Sequence, residues 1–542
     1  MCGSSPEPRR RQPRAVSASA ALLASAVLCA LAACSRRDET AIAPRRGDLD
    51  ALRISQRNEP ADLDPAFASM PDEFFIGRAL SEGLVAPSPD GHGVVPAAAS
   101  SWDVSADGLR YTFHLRAQGR WSNGDSVSAA QFVASYKRIL EPSAPAPKAG
   151  LFYPVLNARA YKLGKIRDFS RVGFLAEDPR TLVVTLGGPC PDFLDYAASG
   201  PWLPVNPAIV ASKGKAWTLP GNFVGNGPFT LEEWTPGQRI VVRRRTDYWD
   251  AAAIKVPAIE FIAMDNGEAE ERSFRAGQLD VTMAVPESKL DAYVAAKPTL
   301  LRIAPLIETR YLAFNCTRHP LDDPRVRRAL SMALDRSELV VRVLKGGQIP
   351  SLSFLPPPLS QLGPVAVAAN PEAARRALAD AGYPGGRGFP ELELTGWTNL
   401  PLLEAIQGQW RRVLGIGVAI SVRDAKEHIS ALRDGRYDIG LITLIPDVPD
   451  PLPSLSDLLP GAPGNYAHWS DISYSRDVLR ARGSANPTER RSAIIAAERR
   501  LLQACPVAPL YTNTHAYLKR AEVRGWREDG LWNRFYKGVR LD

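Results

Sequence analysis

Asp447 and Asp450 stand in the stretch LITLIPDVPDPL, residues 441–452, where an apolar run breaks into three prolines. A carboxylate at the end of a buried strand can hold a cation once water is excluded, because a charge-assisted hydrogen bond is stronger than a neutral one. Pro446, Pro449 and Pro451 supply no ladder donors and have fixed φ. They end strand pairing and stiffen the loop that presents the carboxylates. The plainer roles are solvation of a loop, or the cap of a helix begun by SLSDLL, for Asp447, and a helix cap for Asp450.

Catalysis has no comparable signature. The six histidines (His92, His114, His319, His428, His468 and His515) are scattered, with no H-E-x-x-H pair, no G-x-S-x-G elbow and no P-loop anywhere in the chain. Zinc spacings such as C-x-x-C are missing too. Neither a metal nor another cofactor is expected, and no residue is assigned a catalytic role.

A regular alternation must position the aspartates. LELTG from Leu392 reads as a strand, PLLEAIQGQWRRVL from Pro401 as a helix, and GVAISV from Gly417 as a strand. KEHISALRD is a helix ended by Gly435, and YDIGLITLI from Tyr437 is a strand. This β-α-β-α-β order implies parallel strands joined by right-handed crossovers. Ligands of open α/β sheets bind beyond the carboxyl edge of the strands. The residues just past the three strands are Trp397, Asp424 and Asp447.

Upstream, Asp322 or Asp323 caps a helix with Pro324 at its first position. Val326, Leu330, Ala333 and Leu334 follow at helical spacing, and the expected end is Gly346-Gly347. Asn370-Pro371 begins another helix that stops at Gly382. The first 300 residues read as mixed sheet. LRYTFHL alternates like a half-buried strand after the Asp107-Gly108 turn. Ser128 caps a helix carrying Phe132, Val133, Tyr136, Ile139 and Leu140, and TLVVTL and RIVVRRRTDYW read as further strands. The fold class is α/β.

Arg9, Arg10, Arg11 and Arg14 precede an uncharged run over 15–33 that ends Leu31-Ala32-Ala33-Cys34. That is the pattern of a secretory signal, 1–33, and it resembles a lipobox, with Cys34 the lipidated new N-terminus. Residues 34–50 are polar and aperiodic, a tether. The remaining chain, at roughly 150 residues per domain, suggests about three domains. A formal charge of +8 over 542 residues, with no basic block interleaved with aromatics, argues against nucleic-acid binding. Of the cysteines beyond the leader, Cys190, Cys316 and Cys505 leave three possible pairings, and the sequence does not choose.

Five motifs in order resemble the family-5 extracellular solute-binding proteins of ATP-driven peptide importers, typified by oligopeptide-binding proteins. They are NEPADLDPAFAS at Asn58, FHLRAQGRWSNGDSVSAAQFVASYKRIL at Phe113, NGPFTLEEWTPGQRIVVRRRTDYWD at Asn226, YLAFNCTRHPLDDPRVRRALSMALDR at Tyr311 and RDGRYDIGLITLIPDVPDP at Arg433. The resemblance implies a two-lobed, type II periplasmic-binding-protein-like fold with an extra inserted domain and a hinge between lobes. The core of lobe 1 would hold 51–82, 204–307 and 512–542, the inserted domain 83–203, and lobe 2 308–511. The chain would cross between lobes near 305–308 and 510–512.

The family's amine anchor falls on Asp447, which would pair with the free α-amino group of a short peptide. The peptide backbone would be held as an added strand, with side chains in wet pockets. Trp397, Tyr311 and Asn315 are further candidates for the cleft wall, Tyr311 and Asn315 with hinge support as the other role, and Asp450 and Asp424 are the alternative carboxylates. The implied partners are a short peptide, the membrane permease of an ABC importer, and the membrane through the N-terminal lipid, for a monomeric protein. The other expectation on this scaffold is a different cargo, such as a metal chelate, haem or an oligosaccharide; a hydrolase is a more distant one. This chain departs from the family pattern at Ala425, where a tryptophan is common, and at Trp397, Leu400 and Leu402, where some members carry a histidine. A family cysteine pair would fall near Glu308 and Ile445 and is absent.

Overall fold

The structure is a computed structural model that describes residues 1, 3, 42–45, 51–57, 59–71, 73–91, 93–357, 359, 360, 362 and 368–542. The signal segment, Cys34 and most of the tether lie outside the described residues.

One sheet is built entirely from the first half of the chain. Strands Ala99–Val104, Arg110–Leu115, Thr181–Thr185 and Phe174–Asp178 pair antiparallel in that order. The alternation of RYTFHL does what it predicts, turning Tyr111, Phe113 and Leu115 inward. Helix Ala129–Leu140 lays Phe132, Tyr136, Ile139 and Leu140 into the same core. Its start is held by Gln131, whose side chain accepts from the Ser128 backbone N–H at 2.8 Å, the returning half of a capping box. Phe152 and Trp202 stack 4.5 Å apart at the centre of this core, which draws its buried residues from Ala66 to Trp202.

A second sheet joins distant parts of the chain. Ala51–Gln56 runs parallel to Ala258–Ala263, which pairs antiparallel with Arg239–Arg244 and, through it, Phe229–Thr235. Leu52 and Ile54 share this core with Tyr536 and Val539 from the far end of the chain.

The third sheet has six strands in the order Ile349–Pro350, Val507–Leu518, Leu301–Phe314, Ile439–Leu444, Leu392–Gly396, Val418–Val422. Its last three strands are parallel, as the β-α-β-α-β alternation requires. Helices Leu400–Leu414 and Ala425–Arg433 make the crossovers.

Leu301–Phe314 and Val507–Leu518 form one long antiparallel ribbon, from the Leu301–Leu518 pair to the Ala313–Val507 pair. Near Leu518 the ribbon is tied to the second sheet's side, where the Thr282 N–H donates to the Leu518 carbonyl at 2.9 Å. Its other end lies inside the six-stranded sheet. Between these ends the register shifts, from Pro305 opposite Thr514 to Thr309 opposite Thr512. Extra residues on one strand of a pair bend it and raise its twist. The α/β molecule is therefore two-lobed, with a ribbon that bends between the lobes.

Two expectations change. The helix from Pro324 ends at Met332 rather than at the glycine pair. Asp335 then accepts from the Glu338 N–H at 2.9 Å and starts a second helical segment, which continues over Leu339–Leu344 to Lys345 at φ 58°. The break is held by Arg336, fully turned inward, which donates to the carbonyls of Ser331, Leu334 and Pro509. The carbonyls at a helix end need such donors. The question of the cysteines also closes: Cys190, Cys316 and Cys505 are all free thiols. Burial pushes Cys190 up to about 12 and Cys316 up to about 11, so both stay protonated.

Candidate ligand-binding site

Strand Ile439–Leu444 ends beside the lobe-crossing ribbon, and Ile445, Pro446 and Asp447 continue from it into the wall of a cavity of about 290 Å³. The opposite walls come from elsewhere in the chain. Lys148, Leu151 and Asp195 belong to the side of the inserted sheet, while Phe74, Arg78 and Trp532 come from the side of the second sheet. All three packed units therefore meet at one space, and Asp447 faces it from the six-stranded sheet.

Asp447 already holds a cation. Lys148 Nζ lies 2.6 Å from Asp447 Oδ1, with the two side chains 27% and 41% exposed. Lys148 precedes the helical turn Ala149–Phe152, which anchors Ala149 and Phe152 in the core of the inserted sheet. The ion pair thus spans the space between two separately packed units. An ammonium fits this carboxylate without rearrangement of the proline-stiffened loop.

Two more carboxylates raise the negative potential of this region. Asp457 closes helix Pro451–Ser456. Desolvation in its recess, then the charge of Asp447, pushes its carboxyl up to about 6 against the opposing pull of Lys148. Asp195 lines the cavity, and burial followed by the charges of Asp192 and Asp450 pushes it up to about 6 as well.

Asp450 takes the role of a cap and more. It is 2% exposed. Oδ1 accepts from the Leu452 N–H at 2.9 Å, beginning helix Pro451–Ser456. Arg490 Nη2 lies 2.8 Å from the same oxygen and 3.0 Å from Asp192 Oδ2. The Tyr196 hydroxyl donates to Asp450 at 3.4 Å, and Val448 packs with Leu151 and Tyr196. Asp450 therefore fastens the two sides of the space together beside the cavity.

The other sequence candidates lie off the cavity wall. Asp424 is exposed and caps helix Ala425–Arg433, accepting from the Lys426 N–H at 2.9 Å. Tyr311 is buried against Phe354, with ring centroids 5.3 Å apart. Asn315 is fully buried and donates to the carbonyls of Gly435 and Tyr437 at 3.1 and 2.9 Å, fixing the turn that leads into strand Ile439–Leu444. Trp397 is half-buried past its strand, 5.1 Å from the His428 ring, with the Arg310 guanidinium 4.9 Å from its own ring. Lys148, Arg78, Asp195 and Trp532 were not candidates from sequence. Nothing in their spacing relates them to residue 447, because they reach it only through the packing of three units.

Comparison with known proteins fits this geometry. Residues 93–466 match the model of the bacterial extracellular solute-binding proteins, family 5 Middle. The chain is 30% identical over 485 residues to the periplasmic murein peptide-binding protein MppA of Escherichia coli, covering 87% of this chain and 89% of the relative. It is 30% identical to the probable deoxycholate-binding periplasmic protein YgiS of the same organism, covering 90% and 92%. The crystal structure of Haemophilus influenzae OppA in complex with RPPGFSPFR superposes with a TM-score of 0.76 at 25% identity, covering 91% of this chain and 99% of that one. The two-lobed α/β scaffold is thus shared along nearly the whole chain, which belongs to the bacterial extracellular solute-binding proteins of family 5.

Proposed function

We propose that this protein is the substrate-binding component of a peptide ABC importer, which holds a short peptide between its lobes by the α-amino group and backbone and passes it unchanged to a membrane permease. The observation that carries this is the Lys148 ammonium 2.6 Å from Asp447: the carboxylate sits in a cavity wall and accepts a primary ammonium there. A peptide α-ammonium has the same charge and donors, and it must lose water as the lobes close, which a charged acceptor offsets. The peptide-binding names and the peptide complex among the relatives support the same cargo. On this proposal lobe 1 comprises 51–82, 204–307 and 512–542 with 83–203 inserted, lobe 2 comprises 308–511, and closure bends the ribbon at its register shift.

The protein works outside the cytoplasm, as its family does. We place it there as a monomer, tethered by lipid on Cys34 after removal of 1–33. Stable attachment needs two or more acyl chains, and Cys34→Ser releases the protein from membranes on fractionation. Native mass spectrometry of gently purified protein tests the cargo. A retained mass matching intact short peptides is expected. A retained non-peptide mass, or peptide cleavage that copurifies through further steps, would overturn the proposal.

A further inference from the structure

Far from the cavity wall, the segment from Asn157 to Arg171 gathers positive charge on the outside of the inserted sheet's unit. Asn157, at φ 61°, starts helix Ala158–Lys162, and Gly164, at φ 71°, turns the chain back. The Lys165 N–H donates to the Ala160 carbonyl at 2.9 Å. The Asn157 side-chain amide donates to the Arg171 carbonyl at 2.8 Å and closes the loop. Tyr161 and Phe169 meet inside it, with ring centroids 5.1 Å apart. Arg159, Lys165, Arg167 and Arg171 are the exposed cations of this compact knot. Lys137, also exposed, joins them with its Nζ 5.8 Å from the centre of the Phe169 ring.

Little answers these charges. Among the described residues, none of the five forms an ion pair. Asp168 is the sole carboxylate of 157–171. It accepts from the Ser170 N–H and hydroxyl at 2.9 and 2.8 Å, and Arg171 attracts it from beyond ion-pair distance. Glu141 accepts from the Tyr161 hydroxyl at 2.8 Å and attracts Lys162, whose ammonium is spent on the carbonyls of Ile139, Glu141 and Ala144. Other exposed arginines contrast with these: Arg239, Arg243 and Arg325 each stand within 3.0 Å of a carboxylate. Leu163 is 54% exposed in the same turn as Gly164 and Lys165. An apolar side chain among lysines and arginines suits the boundary between phospholipid headgroups and acyl chains, and both kinds of cation pair with phosphate oxygens. The reach of the chain points the same way. Ile42 packs against the core of Phe274, Leu301 and Leu518, so the stretch from Cys34 to Ile42 spans at most about 30 Å. Lipid on Cys34 therefore keeps the folded body beside the membrane. We propose that the 157–171 knot with Lys137 is a membrane-contact surface that rests on anionic phospholipid headgroups, with Leu163 entering the headgroup layer; this rests on the reading that Cys34 is lipidated.

The probe is mature protein on vesicles of phosphatidylcholine alone, or of phosphatidylcholine and phosphatidylglycerol in equal parts, read by amide hydrogen exchange with mass spectrometry. Exchange across 158–171 is expected to slow by about fivefold or more on the anionic vesicles, to return to its free rate in high salt, and to stay unchanged on the neutral ones. The triple variant Lys165→Gln, Arg167→Gln, Arg171→Gln removes exposed charges that make no ion pair, so it should melt and bind peptide like the unmutated protein and lose the slowing. Equal exchange on the two kinds of vesicle overturns the proposal, as does slowing that persists in the variant. Slowing that needs purified permease in neutral vesicles, and not phosphatidylglycerol, would give the patch a protein partner and overturn it too. Intact mass reports separately on Cys34. A mature protein without acyl chains would remove the tether, and the same vesicle comparison on that soluble protein would still support or overturn the patch.

Discussion

Lys148 Nζ and Asp447 Oδ1 are 2.6 Å apart, though 299 residues separate them in the chain. The carboxylate proposed for the peptide's ammonium pairs with an ammonium of the protein itself. A peptide amine bound there would compete with Lys148 for the same oxygen.

Lys148→Met removes that competitor. The pair is part-exposed, and such pairs are worth up to about 1 kcal/mol, so peptides with a free amine are expected to bind about threefold more tightly. Isothermal titration of one peptide against both proteins measures this. Weaker binding in the variant would mean that Lys148 contacts the ligand directly.

Arg490→Gln leaves Asp192 and Asp450 facing each other without their shared cation. Removing one partner from a buried ion pair costs about 3 kcal/mol or more. Chemical denaturation should show that loss. Asp450→Asn keeps an acceptor for the Leu452 N–H and should cost less than the arginine variant.

Asp457 and Asp195 both titrate near 6, well above an ordinary aspartate. Their protons come off as pH rises through 6, adding negative charge around the cavity. Affinity for amine-bearing peptides should therefore rise from pH 5 to pH 7.5, and Asp457→Asn should flatten that rise. The stability effect has the opposite sense. A carboxyl whose folded value is raised destabilises the fold when charged, and the penalty fades as pH falls from 6 toward 4. Asp195→Asn should raise the melting temperature at pH 7.5 and leave it unchanged near pH 4.

The carboxyl-edge placement of Asp447 is legible in the sequence because three signals agree there. The strands from Leu392, Gly417 and Tyr437 alternate with capped helices, Gly435 ends one helix, and the prolines end the last strand. Local rules suffice for that. They do not suffice for Tyr311 and Asn315, which sit beside a lobe crossing in the sequence but face inward because of the register of strand Leu301–Phe314 against its neighbours. The break after Met332 has a local cue in Asp335 and Glu338, three apart, and it is outweighed in the sequence by the continuing apolar spacing of Leu334 and Leu339. The partners of Asp447 have no local cue. Lys148 and Arg78 reach the cavity through two other packed units, and only the packing of those units brings their charges to it.

The most direct measurement is a four-way calorimetric cycle on Asp447. One peptide, free or N-acetylated, is titrated into the unmutated protein and into Asp447→Asn, which keeps the shape and removes the charge. Each change alone should weaken binding by about 2 kcal/mol, near thirtyfold. Both together should cost little more than either, because they delete the same pair. Losses that add in full, or equal binding of free and acetylated peptides, would show that Asp447 does not hold the peptide's amino group.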